Sequence, residues 1–341
     1  MKADFGLACF KEIAGRRIMA NLREIKLSDI PGVRIGHAQD DVHGTGCTVI
    51  ICDEKAVCGV DIRGGGPASR ETQLLDPRMS NDGVNAVLFS GGSAFGLDAA
   101  AGVMRYLEAR GKGVKVGNAV VPIVVGSCIF DLNCANSAVR PDGDMGYLAC
   151  MDSEMNAERN GNVGAGTGAT VGKLMGNERA MKAGLGTWAV QAGELMVGAI
   201  AVVNAIGDVF EMDSQRQLAG LLNPDGSGMV STEEAMLDMF EYMSSMAANT
   251  TIGAIITNAK LDKASMNKVA AMASNGIART IRPVNTSMDG DSVYALSCGE
   301  VNALPDIVGT LGAHVLAKAV NRAVMESEPM YGFKAASDFM K

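Results

Sequence analysis

Aromatic residues are scarce in this chain, at 4% of 341 residues, and histidine occurs only three times. No apolar run reaches the roughly 18 residues that a helix needs to cross a bilayer, so we expect no membrane partner. Basic residues form no cluster larger than the pair Arg16 and Arg17, and the net charge is -8. The chain therefore lacks the clustered positive charge that binds a polyanion, and the sequence argues against a nucleic-acid partner.

Paired cysteine motifs are absent as well. The eight cysteines are scattered, with no C-x-x-C spacing and no signal peptide ahead of them. This pattern indicates reduced thiols in a cytoplasmic protein. Cys47, Cys52 and Cys58 lie in strand-like runs without histidine at ligand spacing, so we expect buried strand thiols and no metal site.

Glycine is abundant, with 42 residues, and 48% of the chain is apolar against 20% charged. Such a composition excludes a disordered chain and predicts many tight turns. We find no linker that would divide the chain, because the polar stretch 211–231 fits a surface loop. Residues 1–24 resemble an extension, and residues 25–341 are predicted to form a single domain.

Runs rich in valine and isoleucine predict strands, and helical spacing of apolar residues predicts helices. The predicted strands are residues 46–52, 57–62, 85–90, 119–125, 187–192, 195–204, 251–257 and 292–298; the predicted helices are residues 96–110, 232–246, 261–278 and 305–325. Short connections within the pairs 46–52 with 57–62 and 187–192 with 195–204 predict antiparallel hairpins. A mixed sheet arrangement with helices outside follows.

The usual catalytic motifs fail. Residues 91–96, Gly-Gly-Ser-Ala-Phe-Gly, lie between a strand and a helix, but Phe95 occupies a glycine position of G-x-S-x-G. The backbone N–H groups of that turn, at Gly92 and Ser93, could still line a ligand site. The glycine-rich residues 164–172 before Lys173 have the wrong spacing for a phosphate loop. Read alone, Lys173 fits a solvated helix start or the wall of an active site.

The segment from Asn249 to Thr251 joins a predicted helix to a buried strand and reads, by composition, as a turn before a strand. If the chain were cut before Thr250, however, that residue would carry both a hydroxyl nucleophile and an α-amine. The reference pKa of such an amine, about 8, suits a base near neutrality. A histidine-poor protein could hydrolyse an amide in this way.

The sequence resembles the N-terminal-nucleophile hydrolases that include L-aminopeptidase/D-esterases, β-peptidyl aminopeptidases and nylon-oligomer endohydrolases. The motifs that carry the resemblance are IPGVRIGH (30–37), GTGCTV (44–49), DIRGG (61–65), SGGSAFGLD (90–98), VGAGTG (163–168) and NTTI (249–252). The resemblance implies a four-layered αββα sandwich with mixed, largely antiparallel sheets. It also implies self-processing into residues 1–249 and 250–341, and a homo-oligomer, often a tetramer.

Site roles follow from the same resemblance. Asn249 and Thr250 flank the self-cleaved bond, Thr250 is the nucleophile, Lys173 orients or deprotonates it, and Asn204 donates to the oxyanion. Asp289 and Asp291 match the acidic pair of the nylon-oligomer branch, and Lys182 is the rival to Lys173. Phe130 stands near a position where several relatives have a substrate-site tyrosine. Phe130 cannot donate a hydrogen bond, so substrate preference need not transfer.

The function that the sequence favours is a self-processing amidohydrolase or aminopeptidase, acting without metal or cofactor on small peptides or ω- or β-amino-acyl amides. Three alternatives remain open at this point. The enzyme could cleave amide oligomers internally, it could transfer the acyl group to an amine as ornithine acetyltransferase does, or the chain could be a glycine-rich binding scaffold that never matures.

Overall fold

The computed structural model describes residues 22–239 and 249–340. The strands are β1 (Arg23–Ile25), β2 (Val33–Asp40), β3 (Thr45–Ile62), β4 (Ala68–Arg70), β5 (Val84–Ser90), β6 (Val114–Val116), β7 (Ala119–Val121), β8 (Val124–Cys128), β9 (Thr170–Val171), β10 (Met181–Lys182), β11 (Leu185–Ala192), β12 (Leu195–Asn204), β13 (Asp208–Phe210), β14 (Gln217–Ala219), β15 (Thr250–Ala259), β16 (Ile281–Arg282) and β17 (Ser292–Val301). The helices are α1 (Ala99–Glu108), α2 (Gly143–Asp152), α3 (Thr232–Asp238), α4 (Lys263–Ala273), α5 (Asn275–Thr280) and α6 (Pro305–Met325).

Two large sheets share the long strand β3. The first sheet has the order β1-β11-β12-β15-β17-β3, and the second contains β3, β5, β8 and β4, with β2 on the other side of β3. The amino-terminal half of β3 pairs with β2 and β5, whereas its carboxyl-terminal half pairs with β17. Of the pairs that build these two sheets, β15 with β17 and β5 with β8 are parallel, and the others are antiparallel.

Helices cover the outer face of each sheet. The first sheet packs its outer face on α4, α5 and α6, and the second packs on α1 and α2. Between the sheets lies a third apolar layer, to which Ile50, Phe89, Ile200 and Ile252 belong. The predicted four-layered αββα sandwich is therefore confirmed.

Several predicted elements differ from the structure. The predicted strands 46–52 and 57–62 are not a hairpin, because they are halves of the single strand β3. Polar, exposed residues 53–55 lie where β3 leaves one sheet for the other, and they resemble a turn in sequence. The predicted helix 261–278 is two helices, α4 and α5, joined at Ser274. Helix α2 was missed because its apolar residues follow no single face.

Other predictions hold. The hairpin of β11 and β12 is present, and α6 begins at Pro305 as predicted. The predicted strand 119–125 is interrupted at Pro122, which divides β7 from β8. Residues 240–246 of the predicted helix 232–246, and residues 1–21 of the predicted extension, lie outside the described residues. The predicted boundary after residue 24 falls within β1, which pairs with β11.

The thiols of the described chain are free. Most are buried, namely Cys47, Cys52, Cys58, Cys128 and Cys150, whereas Cys134 and Cys298 are partly exposed. No helix within residues 22–239 and 249–340 has the length and apolar character to cross a membrane.

The pairing of β15 determines what surrounds its first residue. In the antiparallel register of β12 with β15, Asn204 lies opposite Thr250. Because β15 and β17 run parallel, the loop that precedes β17 lies beside the start of β15, where Asn249 bridges to Asp289. Residues far apart in the sequence therefore meet at Thr250.

Candidate functional site

Thr250, the first residue of β15, is buried, and its hydroxyl donates to the carbonyl oxygen of Asn249. The backbone N–H of Gly290 donates to the same oxygen at 2.8 Å. The Asn249 N–H in turn donates to the carbonyl of Met288 at 2.9 Å. The peptide bond between Asn249 and Thr250 is therefore held rigidly, with two hydrogen-bond donors on its carbonyl oxygen.

Two buried carboxylates lie in the loop before β17. Asp291 accepts from the backbone N–H of Thr251 at 2.5 Å and from that of Asn285 at 2.9 Å. Asp289 accepts at one oxygen from the Thr286 N–H (2.8 Å) and hydroxyl (2.6 Å), while its Oδ1 has no partner within the described chain. Burial, and then the charge of Asp289, raises the pKa of Asp291 well above the usual carboxyl value.

Asn204 joins three segments of the site. Its carbonyl accepts from Lys173 Nζ at 2.8 Å, and its side-chain Oδ1 accepts from the Thr170 N–H at 3.1 Å. Its Nδ2 donates to the Phe130 carbonyl at 2.9 Å. An asparagine amide has two hydrogens, so this bond uses one of them. Asn204 thus fixes both Lys173 and Phe130 beside the start of β15.

Lys173 contributes the amine of this site. Burial lowers the pKa of Lys173 to about 7, although the attraction of Asp289, Asp131 and Asp291 opposes that shift. An amine that titrates near neutrality can exist in both the protonated and the neutral form at physiological pH. Lys173 can therefore take up or release a proton there, as a general base requires.

Lys182 occupies a different environment. It is fully buried, and its Nζ donates to the carbonyls of Gly166 (3.2 Å), Ala169 (3.0 Å) and Ala183 (2.5 Å). An ammonium group has three hydrogens, and these carbonyls use all of them. Burial lowers the pKa of Lys182 to about 8. The two lysines thus differ, because Lys173 faces the carboxylates around Thr250 whereas Lys182 ties backbone segments together.

A cavity of about 150 Å³, called the inner cavity below, opens beside Lys173. Its lining residues are Phe130, Asp131, Asn133, Cys134, Thr170, Lys173, Gly176 and Asn177. The wall thus includes Phe130, one of the residues assigned to substrate binding from the sequence.

Asp131 is a buried carboxylate that the sequence analysis did not assign. It accepts from the Thr45 hydroxyl at 2.7 Å and from the Gly92 N–H at 2.6 Å, and burial raises its pKa. Gly92 and Ser93 both have positive φ and lie behind Asp131, outside the wall of the inner cavity as described. The sequence shows only that a carboxylate directly follows Phe130, because the partners of Asp131 lie far away along the chain.

The five residues assigned to catalysis come together. Asn204 lies opposite Thr250, Lys173 bonds Asn204, and Asp289 and Asp291 act electrostatically on Lys173. In the described part of the chain, histidine, cysteine and carboxylate side chains form no group of three that could hold a metal ion. The arrangement offers a hydroxyl, an amine near neutrality and hydrogen-bond donors aimed at a carbonyl.

Comparison with known proteins identifies relatives of this chain. The family model described as peptidase family S58 matches residues 26–337. An uncharacterized aminopeptidase of Mycobacterium leprae is 38% identical over 339 residues, which cover 90% of this chain and 91% of that protein. A 6-aminohexanoate-oligomer endohydrolase of Kocuria sp. is 28% identical over 318 residues, which cover 91% of this chain and 84% of that protein.

Solved structures share the fold. The L-aminopeptidase D-Ala-esterase/amidase of Ochrobactrum anthropi, described as a variant of the Ntn hydrolase fold, superimposes with a TM-score of 0.67 at 17% identity. That match covers 89% of this chain and 87% of the other. A β-aminopeptidase of Burkholderia sp. gives a TM-score of 0.64 at 19% identity, covering 92% and 91%.

We predict that the two lysines differ in their effect on stability. Lys182→Met should lower the free energy of unfolding by about 1–3 kcal/mol, because buried carbonyls lose their partner. Lys173→Met should have a smaller effect, because only one backbone carbonyl, that of Asn204, loses its donor. Urea unfolding measures both, in chains that also carry Thr250→Ala so that the predicted cut does not divide them. Equal losses in the two variants would contradict this assignment.

Proposed function

The chain belongs to peptidase family S58 and is a hydrolase of amide bonds; we propose that it cuts itself before Thr250 and then uses Thr250 as an N-terminal nucleophile. The observation that carries the proposal is that two hydrogen-bond donors meet at the carbonyl oxygen of Asn249. The Thr250 hydroxyl and the Gly290 N–H both contact the carbonyl oxygen of Asn249. These are the nucleophile and an oxyanion donor that self-cleavage at that bond requires.

Self-cleavage would begin with attack of Thr250 Oγ1 on the carbonyl carbon of Asn249. The Gly290 N–H, 2.8 Å from the oxygen, would stabilise the negative charge that develops there. The C–N bond then breaks, the amide nitrogen takes up a proton, and an ester joins Asn249 to the Thr250 oxygen. Water hydrolyses that ester, which leaves a carboxylate on Asn249 and a free α-amine on Thr250.

The mature enzyme would repeat the same chemistry on its substrate. The α-amine of Thr250 accepts the hydroxyl proton as Oγ1 attacks the substrate carbonyl, and it returns the proton to the leaving amine. Water then hydrolyses the ester on Oγ1. The Gly290 N–H, released from Asn249, and the second amide hydrogen of Asn204 would serve as oxyanion donors, each contributing up to about 3 kcal/mol.

Lys173 and the two carboxylates would set the proton positions around Thr250. Lys173 near neutrality can take up the hydroxyl proton during self-cleavage, when Thr250 has no free amine. Asp289 Oδ1, which has no partner in the described chain, could accept from the α-ammonium once it forms. Lys182 has no such role in this proposal, because three carbonyls already hold it.

The proposed substrates are small peptides or other ω- or β-amino-acyl amides, with release of the amino-terminal unit. The relative that is 38% identical is named an aminopeptidase, whereas the one named an endohydrolase is 28% identical, which favours terminal over internal cleavage. Both names denote hydrolases, so water is favoured over an amine as the acyl acceptor. The alternatives of acyl transfer and of an inert scaffold are accordingly set aside.

We also propose that several copies of the chain assemble in the cytoplasm. Leu148 on α2, and Met151 and Met155 at its end, are exposed apolar side chains. Such side chains are common where subunits meet. Light scattering on the purified protein would measure the number of copies.

We predict that the purified wild-type chain is cut into two pieces. In proportion to their lengths, cleavage of the 35.4 kDa chain before Thr250 gives pieces of about 26 and about 10 kDa. Thr250→Val, which keeps the shape but lacks the hydroxyl, should stay whole, and Thr250→Ser should still be cut. Intact mass spectrometry distinguishes these outcomes.

Thr251→Val provides the matched control, because Thr251 is the adjacent buried threonine of the same strand. That variant should be cut like the wild type. A wild-type chain that hydrolyses amides while remaining whole would refute the terminal-amine mechanism.

We further predict that self-cleavage accelerates as the pH rises through about 7. Burial lowers the pKa of Lys173 to about 7, so the neutral amine that can accept the hydroxyl proton predominates only above that pH. The uncut chain has no α-amine at Thr250 that could produce the same dependence. Uncut protein from cell-free translation can be shifted to pH 5.5–8.5 and sampled on gels.

In this experiment Lys173→Met should cut about 10²–10⁴-fold more slowly, as expected when a general base is lost. Lys182→Met should keep the dependence on pH. A wild-type rate that does not vary between pH 5.5 and 8.5 would exclude Lys173 as the base.

A further inference from the structure

The inner cavity has a larger neighbour on the protein surface. This outer groove has a volume of about 480 Å³, and its lining includes Asn133, Cys134, Asn177, Glu178, Asp225 and Lys334. Asn133, Cys134 and Asn177 line both spaces. The two cavities are therefore neighbours divided by those three residues.

A hydrogen bond spans the boundary between the inner cavity and the outer groove. Asn177 Nδ2 donates to the backbone carbonyl of Asn133, which joins the segment after Lys173 to the segment after Phe130. The same two segments are also tied at their inner end, since Asn204 bonds both Lys173 and the Phe130 carbonyl. Two chain segments that are tied together at both ends thus border the inner cavity.

The local backbone keeps the two ties close to each other. Lys173 and Asn177 lie on successive short 3-10 turns, Lys173–Met175 and Asn177–Arg179. Gly176 between them has φ +92°, which an L side chain rarely adopts, so the chain reverses there. Asn177 lies only four residues beyond Lys173. The inner cavity between the Asn177–Asn133 bond and the bonds of Asn204 is therefore short.

We propose that the bond from Asn177 to Asn133 is a length gate: it limits the acyl side of the substrate to a single amino-acyl unit. This inference rests on the proposed function, because it names which amides that site accepts. A volume of about 150 Å³ lies below the roughly 300–1,000 Å³ of pockets that hold drug-sized ligands. In this proposal the acyl unit occupies the inner cavity beside Lys173, and a second unit would pass between Asn133 and Asn177 into the outer groove.

The outer groove suits the end of such a longer chain. Glu178 and Asp225 line it with carboxylates, whereas the amine of Lys334 donates to the Gly226 carbonyl. The terminal ammonium of a two-unit amino-acyl chain would be attracted to those carboxylates. Breaking the length gate should therefore convert an enzyme that releases single units into one that also accepts two.

The experiment compares p-nitroanilides of one β-alanyl unit and of two β-alanyl units joined by an amide. It uses kcat/KM for release of p-nitroaniline together with the intact one-unit or two-unit acid, followed by mass spectrometry, so that stepwise trimming of the longer substrate is not counted. Asn177→Ala removes the donor and volume, and Asn177→Asp keeps the volume but cannot donate to a carbonyl when ionised. Both variants should raise the ratio of two-unit to one-unit kcat/KM about tenfold, the scale on which pockets discriminate such additions. Thermal melting shows whether each variant folds.

Asn162→Ala is the matched control. It removes the same kind of bond, from an asparagine amide to the Glu328 carbonyl at 2.9 Å, outside both cavities, and should leave the ratio unchanged. An active wild type whose ratio is unaffected by both Asn177 variants, or that already prefers the two-unit substrate, would overturn the length gate while leaving the proposed hydrolase intact. A wild type that is never cut and hydrolyses neither substrate would overturn the proposed function itself.

Discussion

Strand β15 is hydrogen-bonded on both sides and buried along its whole length, and the site depends on this double pairing. The antiparallel partner brings Asn204 opposite Thr250, and the parallel partner brings the loop of Asp289 and Asp291 alongside. A slip of one residue in either pairing would turn Thr250 to the opposite face of the sheet. Because the two faces of β15 pack in different core layers, such a slip would exchange its side chains between those layers and disturb the packing of both.

The electrostatic balance of the site brings the pKa of a lysine amine close to neutrality in a chain that has only three histidines. Burial lowers the pKa of the Lys173 amine, whereas the negative charges of Asp131, Asp289 and Asp291 raise it and so limit the decrease. Lys182 lies in the same region, yet its amine is fully occupied by backbone carbonyls. The two lysine amines thus differ in what they face: carboxylates for Lys173 and backbone carbonyls for Lys182.

Much of the fold could be predicted from local pattern. Elements with a clear period and clear ends, such as β12, β15 and α6, appear where the sequence places them. The errors share a physical cause. β3 resembles two strands because its polar middle is exposed between two sheets, and α2 shows no single apolar face, so neither has a local signature. Asp131 and Asn177 were missed for a related reason, since nothing next to them in sequence shows what they contact.

The sequence by itself determined the family, the position of Thr250 at the start of a buried strand, and the candidate set of Lys173, Asn204, Asp289 and Asp291. These conclusions follow from motifs and apolar runs, which can be recognised in short segments of the sequence. Only the tertiary structure showed that the Lys173 amine faces carboxylates whereas three carbonyls hold the Lys182 amine, and only it placed the Gly290 N–H on the Asn249 carbonyl. Only the tertiary structure, likewise, tied Asn177 to Asn133 across the cavity. Such contacts join residues that are tens of positions apart, and the packing of sheets and loops, which sequence spacing does not encode, brings them within hydrogen-bonding distance.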